Sequence, residues 1–135
     1  MTTIVEALWL RLHAMLSAFA EKLAAIDPAL AHDLGRTAND AFVLRGFLAF
    51  RRSADGGEVA ITVDIQNDGQ QMIITSDACA DDGRVVADGP SAAIRLSESE
   101  RNVAIALDDW LHEFEKFLLK NESAVAAAAS QLKQG

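Results

Sequence analysis

The chain has 135 residues, a mass of 14.5 kDa and a formal net charge of −8. Half of its residues are hydrophobic and 24% are charged, which is too apolar for intrinsic disorder and enough to fill one core without a disulfide or metal staple. An acidic surface repels phosphate backbones and anionic lipid, so nucleic acid and membrane are excluded as expected partners.

The charge is unevenly spread. Residues 1–57 hold six basic and six acidic side chains, whereas residues 58–135 hold six basic and fourteen acidic ones. Cys79 is the single cysteine, which rules out an intramolecular disulfide and suits a reducing compartment. The N-terminus lacks the basic start of a signal peptide. The apolar run that follows it is broken by Arg11, His13, Glu21 and Lys22, so neither a leader nor a membrane span is predicted. The expectation is a soluble, cytoplasmic, single α+β domain over residues 1–135.

In chain order, Thr3-x-x-Glu6 is a capping-box pattern that starts a helix. Ile4, Val5, Leu8, Leu12, Met15, Leu16, Phe19, Leu23 and Ile26 recur at steps of three and four and form its apolar stripe. At about 100° per residue, Leu10 falls on the opposite face with Glu6, His13, Ser17 and Glu21, and Trp9 falls at the border. Asp27-Pro28 reads as an N-cap and first helical position, predicting a short helix over 28–34 that Gly35 ends.

Residues 41–52 are dense in aromatic and branched side chains, among them Phe42, Leu44, Phe47, Leu48 and Phe50. Asn39 is also able to cap a helix here, but the turn residues 53–57 that follow favour a strand. Gly46 then marks a bulge or a close backbone approach. From 58 to 76 the pattern is plain. Val59, Ile61, Val63 and Ile65 alternate with Thr62, Asp64 and Gln66, Asn67-Asp68-Gly69-Gln70 makes a turn, and Met72-Ile73-Ile74-Thr75 resumes the strand.

Residues 77–83 read as an acidic loop, 84–87 as a short strand, 88–90 as a turn and 92–96 as another strand carrying Ile94 and Leu96. Ser97-x-x-Glu100 is a second capping box. It opens a helix whose stripe of Val103, Leu107, Trp110, Leu111, Phe114, Phe117 and Leu118 is the heaviest apolar surface in the chain, the natural cover for the sheet. The alanine-rich tail, 121–135, has high helix propensity and little to bury, so it either extends the helix or frays. The whole predicts two layers: an antiparallel meander of three to five strands covered by an N-terminal and a long C-terminal helix.

For chemistry, the best cluster is Asp108, Asp109 and His112. The two carboxylates precede the imidazole by four and three residues, where a helix brings side chains together. A carboxylate beside an imidazole raises its basicity, as a general base or metal ligand requires. One pair is not a metal site, and His13 and His32 have no reason to converge on it. Asp77, Asp81, Asp82 and Gly83 imitate a calcium loop only superficially, because Ala78, Cys79 and Ala80 interrupt the alternating ligands. Acidic neighbours raise the Cys79 thiol pKa, which disfavours a nucleophile. No phosphate loop, nucleophile elbow or Cys-x-x-Cys is present, so no cofactor and no catalytic residue are predicted.

Ile105 and Leu119 lie opposite the main stripe of the C-terminal helix with His112 between them at seven-residue spacing. Leu10 and Trp9 stand out similarly on the first helix. Scattered exposed leucines are common, yet these five residues are the expected contacts with a partner, either a second copy in a homodimer or another protein. Small size, acidity and a helix-flanked sheet are similar to immunity proteins and secretion chaperones, but no motif carries that likeness. The chaperone arrangement has a helix between its third and fourth strands, and 76–93 predicts none. The reading is a non-catalytic interaction protein, with a dedicated polypeptide partner as the alternative. The remaining alternative is a small metal-dependent or hydrolytic enzyme using His112 with Asp108 or Asp109.

Overall fold

The computed structural model describes residues 2–38, 43–80 and 82–132, with side chains in the first helix described from Ile4 onward. The elements are α1 (Thr2–Ile26), β1 (Ala31–Thr37), β2 (Leu44–Arg51), β3 (Val59–Asn67), β4 (Gln71–Ala80), β5 (Val85–Asp88), β6 (Ala92–Arg95), α2 (Glu100–Lys120) and α3 (Glu122–Ser130). All strand pairs are antiparallel, in the order β1-β2-β3-β4-β5, and β6 pairs with the same strand, β4. This is the expected two-layer α+β arrangement, five strands wide and built from six.

α1 runs without glycine or proline, so nothing interrupts its stripe. Leu8, Leu12, Leu16, Phe19 and Leu23 are buried. Thr3, the first residue of the proposed capping box, lies outside the described side chains. Pro28 disfavours helical geometry at the residue before it, and α1 closes with the Asp27 amide donating to the Leu23 carbonyl at 2.8 Å.

The short helix expected over 28–34 does not form. Asp27 instead accepts from the Ala29 amide at 3.3 Å, the Leu30 amide donates back to the Asp27 carbonyl at 3.1 Å, and the chain leaves this turn as β1. A helix this short is costly to nucleate. The strand, by contrast, pairs along its whole length from Ala31↔Arg51 to Thr37↔Arg45. Tertiary pairing overrides the local cap signal.

β2 confirms the strand expected within 41–52, although Ala41 and Phe42 themselves, like Asn39, lie outside the described residues. Gly46 marks the close approach. A Cβ built there would lie 2.6 Å from Cζ3 of Trp9. The central hairpin is β3 and β4, and its turn is held by side chains. Asn67 accepts from the Gly69 amide at 2.8 Å, Asp68 accepts from the Gln70 and Gln71 amides at 2.9 and 2.8 Å, and Gly69 takes a φ of 89°.

Two boundaries differ from expectation around β4. The strand continues to Ala80, so Asp77, Ala78 and Cys79 are in the sheet rather than in an acidic loop. Ala78 is fully buried. β5 pairs with this second half of β4, with a register shift between Ala78 and Cys79, while β6 pairs with its first half. Two short strands thus share one side of a ten-residue strand.

α2 is capped by Ser99, not Ser97. The Ser99 hydroxyl accepts from the Asn102 amide at 3.1 Å. Ser97 is held in the preceding turn, because the Leu96 amide still donates to the Gln70 carbonyl at 2.9 Å. The seven expected stripe residues are all buried. Trp110 stacks on Phe114, with ring centroids 5.0 Å apart, and its indole N–H donates to the Pro90 carbonyl at 3.1 Å.

The tail does not fray over its described length. Asn121 ends α2, its amide and side chain both donating to the Phe117 carbonyl, and α3 then buries Val125, Ala128 and Ala129. Small side chains let this helix lie close to β3 and β5. Residues 133–135 lie outside the described part. The dry face of the sheet is therefore shared among the helices. α1 packs on β1 and β2, α2 meets β6, and α3 meets β3 and β5. Among the described residues no helix is long and apolar enough to cross a membrane.

Candidate functional site

The outward face of α2 carries Ile105, His112 and Leu119 at intervals of seven, an arrangement that drifts only about 20° per step round a helix. Ile105 is 49% exposed and Leu119 is 56% exposed. Both are large side chains that the domain's own core leaves in water. Leu10 on α1 is the most exposed of this class at 71%. Trp9 belongs elsewhere, because it is buried against Gly46 with the Arg36 guanidinium 5.7 Å from its ring centroid. It is a core residue rather than an outward contact.

The polar cluster on α2 is organised by a residue that local spacing does not reveal. Arg11 of α1 pairs with the Asp108 carboxylate, 97 positions away. The Asp108 side chain therefore faces α1. His112 meets the same residue through the backbone instead, with Nδ1 3.0 Å from the Asp108 carbonyl oxygen. In the tautomer that suits this contact, Nδ1–H donates and Nε2 is left as the acceptor. Asp109 lies on the exposed face of the helix. Among the described residues no three His, Cys, Asp or Glu side chains converge as metal ligands.

Beneath the Arg11 to Asp108 bridge runs an apolar groove of about 530 Å³ between α1 and α2. Ile4, Leu8, Val103, Leu107 and Leu111 line it, with Ala7 and Ala104 at its rim.

The face of the sheet turned away from the helices holds a second group of charges. Arg45 grips Asp64 with two hydrogen bonds, at 2.6 and 3.1 Å, and this contact raises the arginine pKa. Asp77 lies on the same face, opposite Thr62. Burial pushes its carboxyl above the ordinary range, the Asp64 and Asp88 carboxylates add to this, and the Cys79 thiol and Arg45 oppose it. Burial likewise raises the Cys79 thiol, helped by Asp77 and Asp88. A thiol held in its protonated form is a poor nucleophile and metal ligand. The calcium-like pattern is not assembled either. Asp77 is in β4, Asp82 accepts from the Arg84 amide at 3.0 Å in a local turn, and Asp81 lies outside the described residues.

A partly buried ionic contact ties three elements together. Arg52 pairs with Asp27 after α1 and donates to the Ala129 carbonyl of α3 at 3.1 Å. Its role is structural, and a separation of 77 positions hides it from sequence patterning.

The chain matches no protein-family model, no curated protein and no solved structure.

Proposed function

We propose that this chain is a non-catalytic, cytoplasmic interaction protein that self-associates through its helical layer. The observation that carries the reading is the outward row of Ile105, His112 and Leu119, where two half-exposed aliphatic side chains stand on a helix whose core stripe is already complete. Burying such side chains contributes about 1.5–3 kcal/mol each, the usual driving force for association. The competing enzyme reading needs a carboxylate on His112, and the Asp108 carboxylate is engaged by Arg11 instead.

Sedimentation over a range of concentrations tests this. The expected result is a concentration-dependent dimer that Ile105→Asp or Leu119→Asp abolishes without loss of solubility. A wild-type protein that stays monomeric throughout overturns it, as does a stoichiometric metal ion lost on His112→Ala.

A second reading, a dedicated polypeptide partner, is favoured by the groove between α1 and α2. Its apolar floor and small rim residues suit one face of an amphipathic segment. Isothermal titration with an amphipathic peptide, repeated on Ala104→Trp to fill the groove, separates this from self-association.

A further inference from the structure

We infer that the groove between β6 and α2 takes an extended, basic segment of another polypeptide as an added strand. β6 lies at the edge of the sheet and pairs on one side only, with β4. The Leu96 amide donates to the Gln70 carbonyl at 2.9 Å, next to the pair Gln71↔Arg95. Antiparallel ladders alternate bonded and non-bonded pairs, so Ile94 also turns its main chain toward β4, while Ala93 and Arg95 turn theirs outward. The Arg95 carbonyl is taken by the Glu98 amide at 3.4 Å. That leaves the Ala93 amide and carbonyl and the Arg95 amide on the free edge, with no protein partner among the described residues. Another strand offers acceptor and donor in that spacing, and extended peptides join sheet edges through such main-chain bonds.

The wall facing that edge is α2. A shallow groove of about 490 Å³ runs between them, with Asn102, Ile105, Ala106 and Asp109 on the helix side. These positions recur at three- and four-residue steps, so they form one face along the groove. Ile105 is 49% exposed there. An added strand sends every second side chain toward the helical layer, where an aliphatic residue covers Ile105 and Ala106. Charge sets the next one. Glu98 and Asp109 border the groove against one cation, Arg95, and none of the three is in an ion pair among the described residues. Ile94 is buried beneath α2, so alternation turns the Arg95 side chain to the opposite face of the sheet. The helix side of the groove is therefore acidic and suits a lysine or arginine. The same charge argues against a second copy, because pairing two β6 edges brings two acidic walls together in the half of the chain that carries the whole net charge of −8. This goes beyond both readings above. It does not rest on self-association, and it uses the flank of α2 turned away from the α1 groove.

Selection of a phage library of random linear peptides on the full chain, followed by isothermal titration of a synthesised winner, tests this. The winner is expected to carry a basic and an aliphatic residue two positions apart, on one face of a strand. Methylating its main-chain nitrogens one at a time should weaken binding at alternate residues only. Ala93→Pro removes one outward amide and none of the bonds to β4, and it and Ile105→Asp should each weaken binding about tenfold or more. Asp109→Lys leaves β6 intact, so it keeps the test sound if proline disturbs the strand, and it should abolish the preference for basic peptides. Ala104→Trp, in the other groove, should change nothing. Thermal unfolding by circular dichroism establishes that each variant is folded. The proposal is overturned by the absence of any enriched peptide, by winners without basic residues, by methylation felt at every position or at none, or by full binding to both Ala93→Pro and Asp109→Lys. Loss of binding in Ala104→Trp places the ligand on the α1 groove, which overturns it and leaves a polypeptide partner standing. A dimer in sedimentation that Ala93→Pro dissociates makes a second copy the occupant and overturns it as well.

Discussion

Arg11 and Asp108, 97 positions apart in the chain, form the ion pair that joins α1 to α2 over their shared groove. Both side chains are half exposed, 50% and 56%. Exposed pairs gain little in water because solvent screening and lost side-chain freedom offset the attraction, typically leaving about 0.2–1 kcal/mol. Arg11→Ala is therefore expected to lower the unfolding free energy by less than about 1 kcal/mol. Urea unfolding checks this, and a loss well above that range would mean that the pair also fixes how α1 sits against α2.

Gly46 makes the opposite kind of prediction, a large effect from a small change. A Cβ at this position would lie 2.6 Å from Cζ3 of the buried Trp9 ring. Overpacking a filled core typically costs 1–3 kcal/mol, so Gly46→Ala should destabilise by about that much in urea unfolding. Trp9→Phe removes the obstructing atom at its own cost. The double variant should therefore be more stable than the sum of the two single losses implies, with a coupling of roughly 0.5–3 kcal/mol. Simple additivity would show that α1 shifts on the sheet instead of resisting.

These two sites also show where sequence is informative. Period-two alternation in 59–65 and the three- and four-residue steps in 103–118 placed the central strand and α2, since every position on one side of each had to be apolar. The Gly46 approach was visible because a glycine inside a strand pattern leaves room for something. Arg11 and Arg52 were not visible, because their partners lie on other elements and charge carries no periodic signal. β1 is hidden in the sequence because Asp27-Pro28 is a local helix signal, whereas the pairing of His32 with Phe50 and of Leu34 with Leu48 is long-range. The exposure of Leu10, Ile105 and Leu119 followed from helical angle alone. Trp9, at the border of the stripe, was settled only by the strand beneath it.

Asp77 ties stability to pH. Its carboxyl is raised above the ordinary value of 3.8, chiefly by burial. A carboxyl with a folded pKa above its unfolded one binds its proton more tightly in the folded state. It adds stability below the unfolded value and loses that contribution as pH rises through the folded value. At neutral pH the ionised group is a cost, so Asp77→Asn, which keeps the shape without the charge, should raise the urea midpoint at pH 7. The gain over wild type should shrink as pH falls through the acid range toward 3.8. A variant less stable than wild type at pH 7 would mean that the attraction of Arg45 outweighs the cost of burial.

Whether the alanine-rich tail is structural is decided at Arg52. Its side chain is only 7% exposed, paired with Asp27 and bonded to the Ala129 carbonyl of α3. Hydrogen bonds to charged groups contribute about 1.5–3 kcal/mol, so Arg52→Ala should cost about that much. Ending the chain after Asn121 removes the buried Val125 and Ala129 together with that carbonyl. A frayed tail would be lost without effect. A docked one leaves β3 and β5 exposed where α3 lay, and the truncated protein should melt at lower temperature and bind a hydrophobic dye. The two changes share one contact, so combining them should cost less than the sum of their separate effects. If truncation leaves the melting temperature unchanged, the packing of α3 contributes nothing to stability, and the whole of the Arg52 effect must come from Asp27.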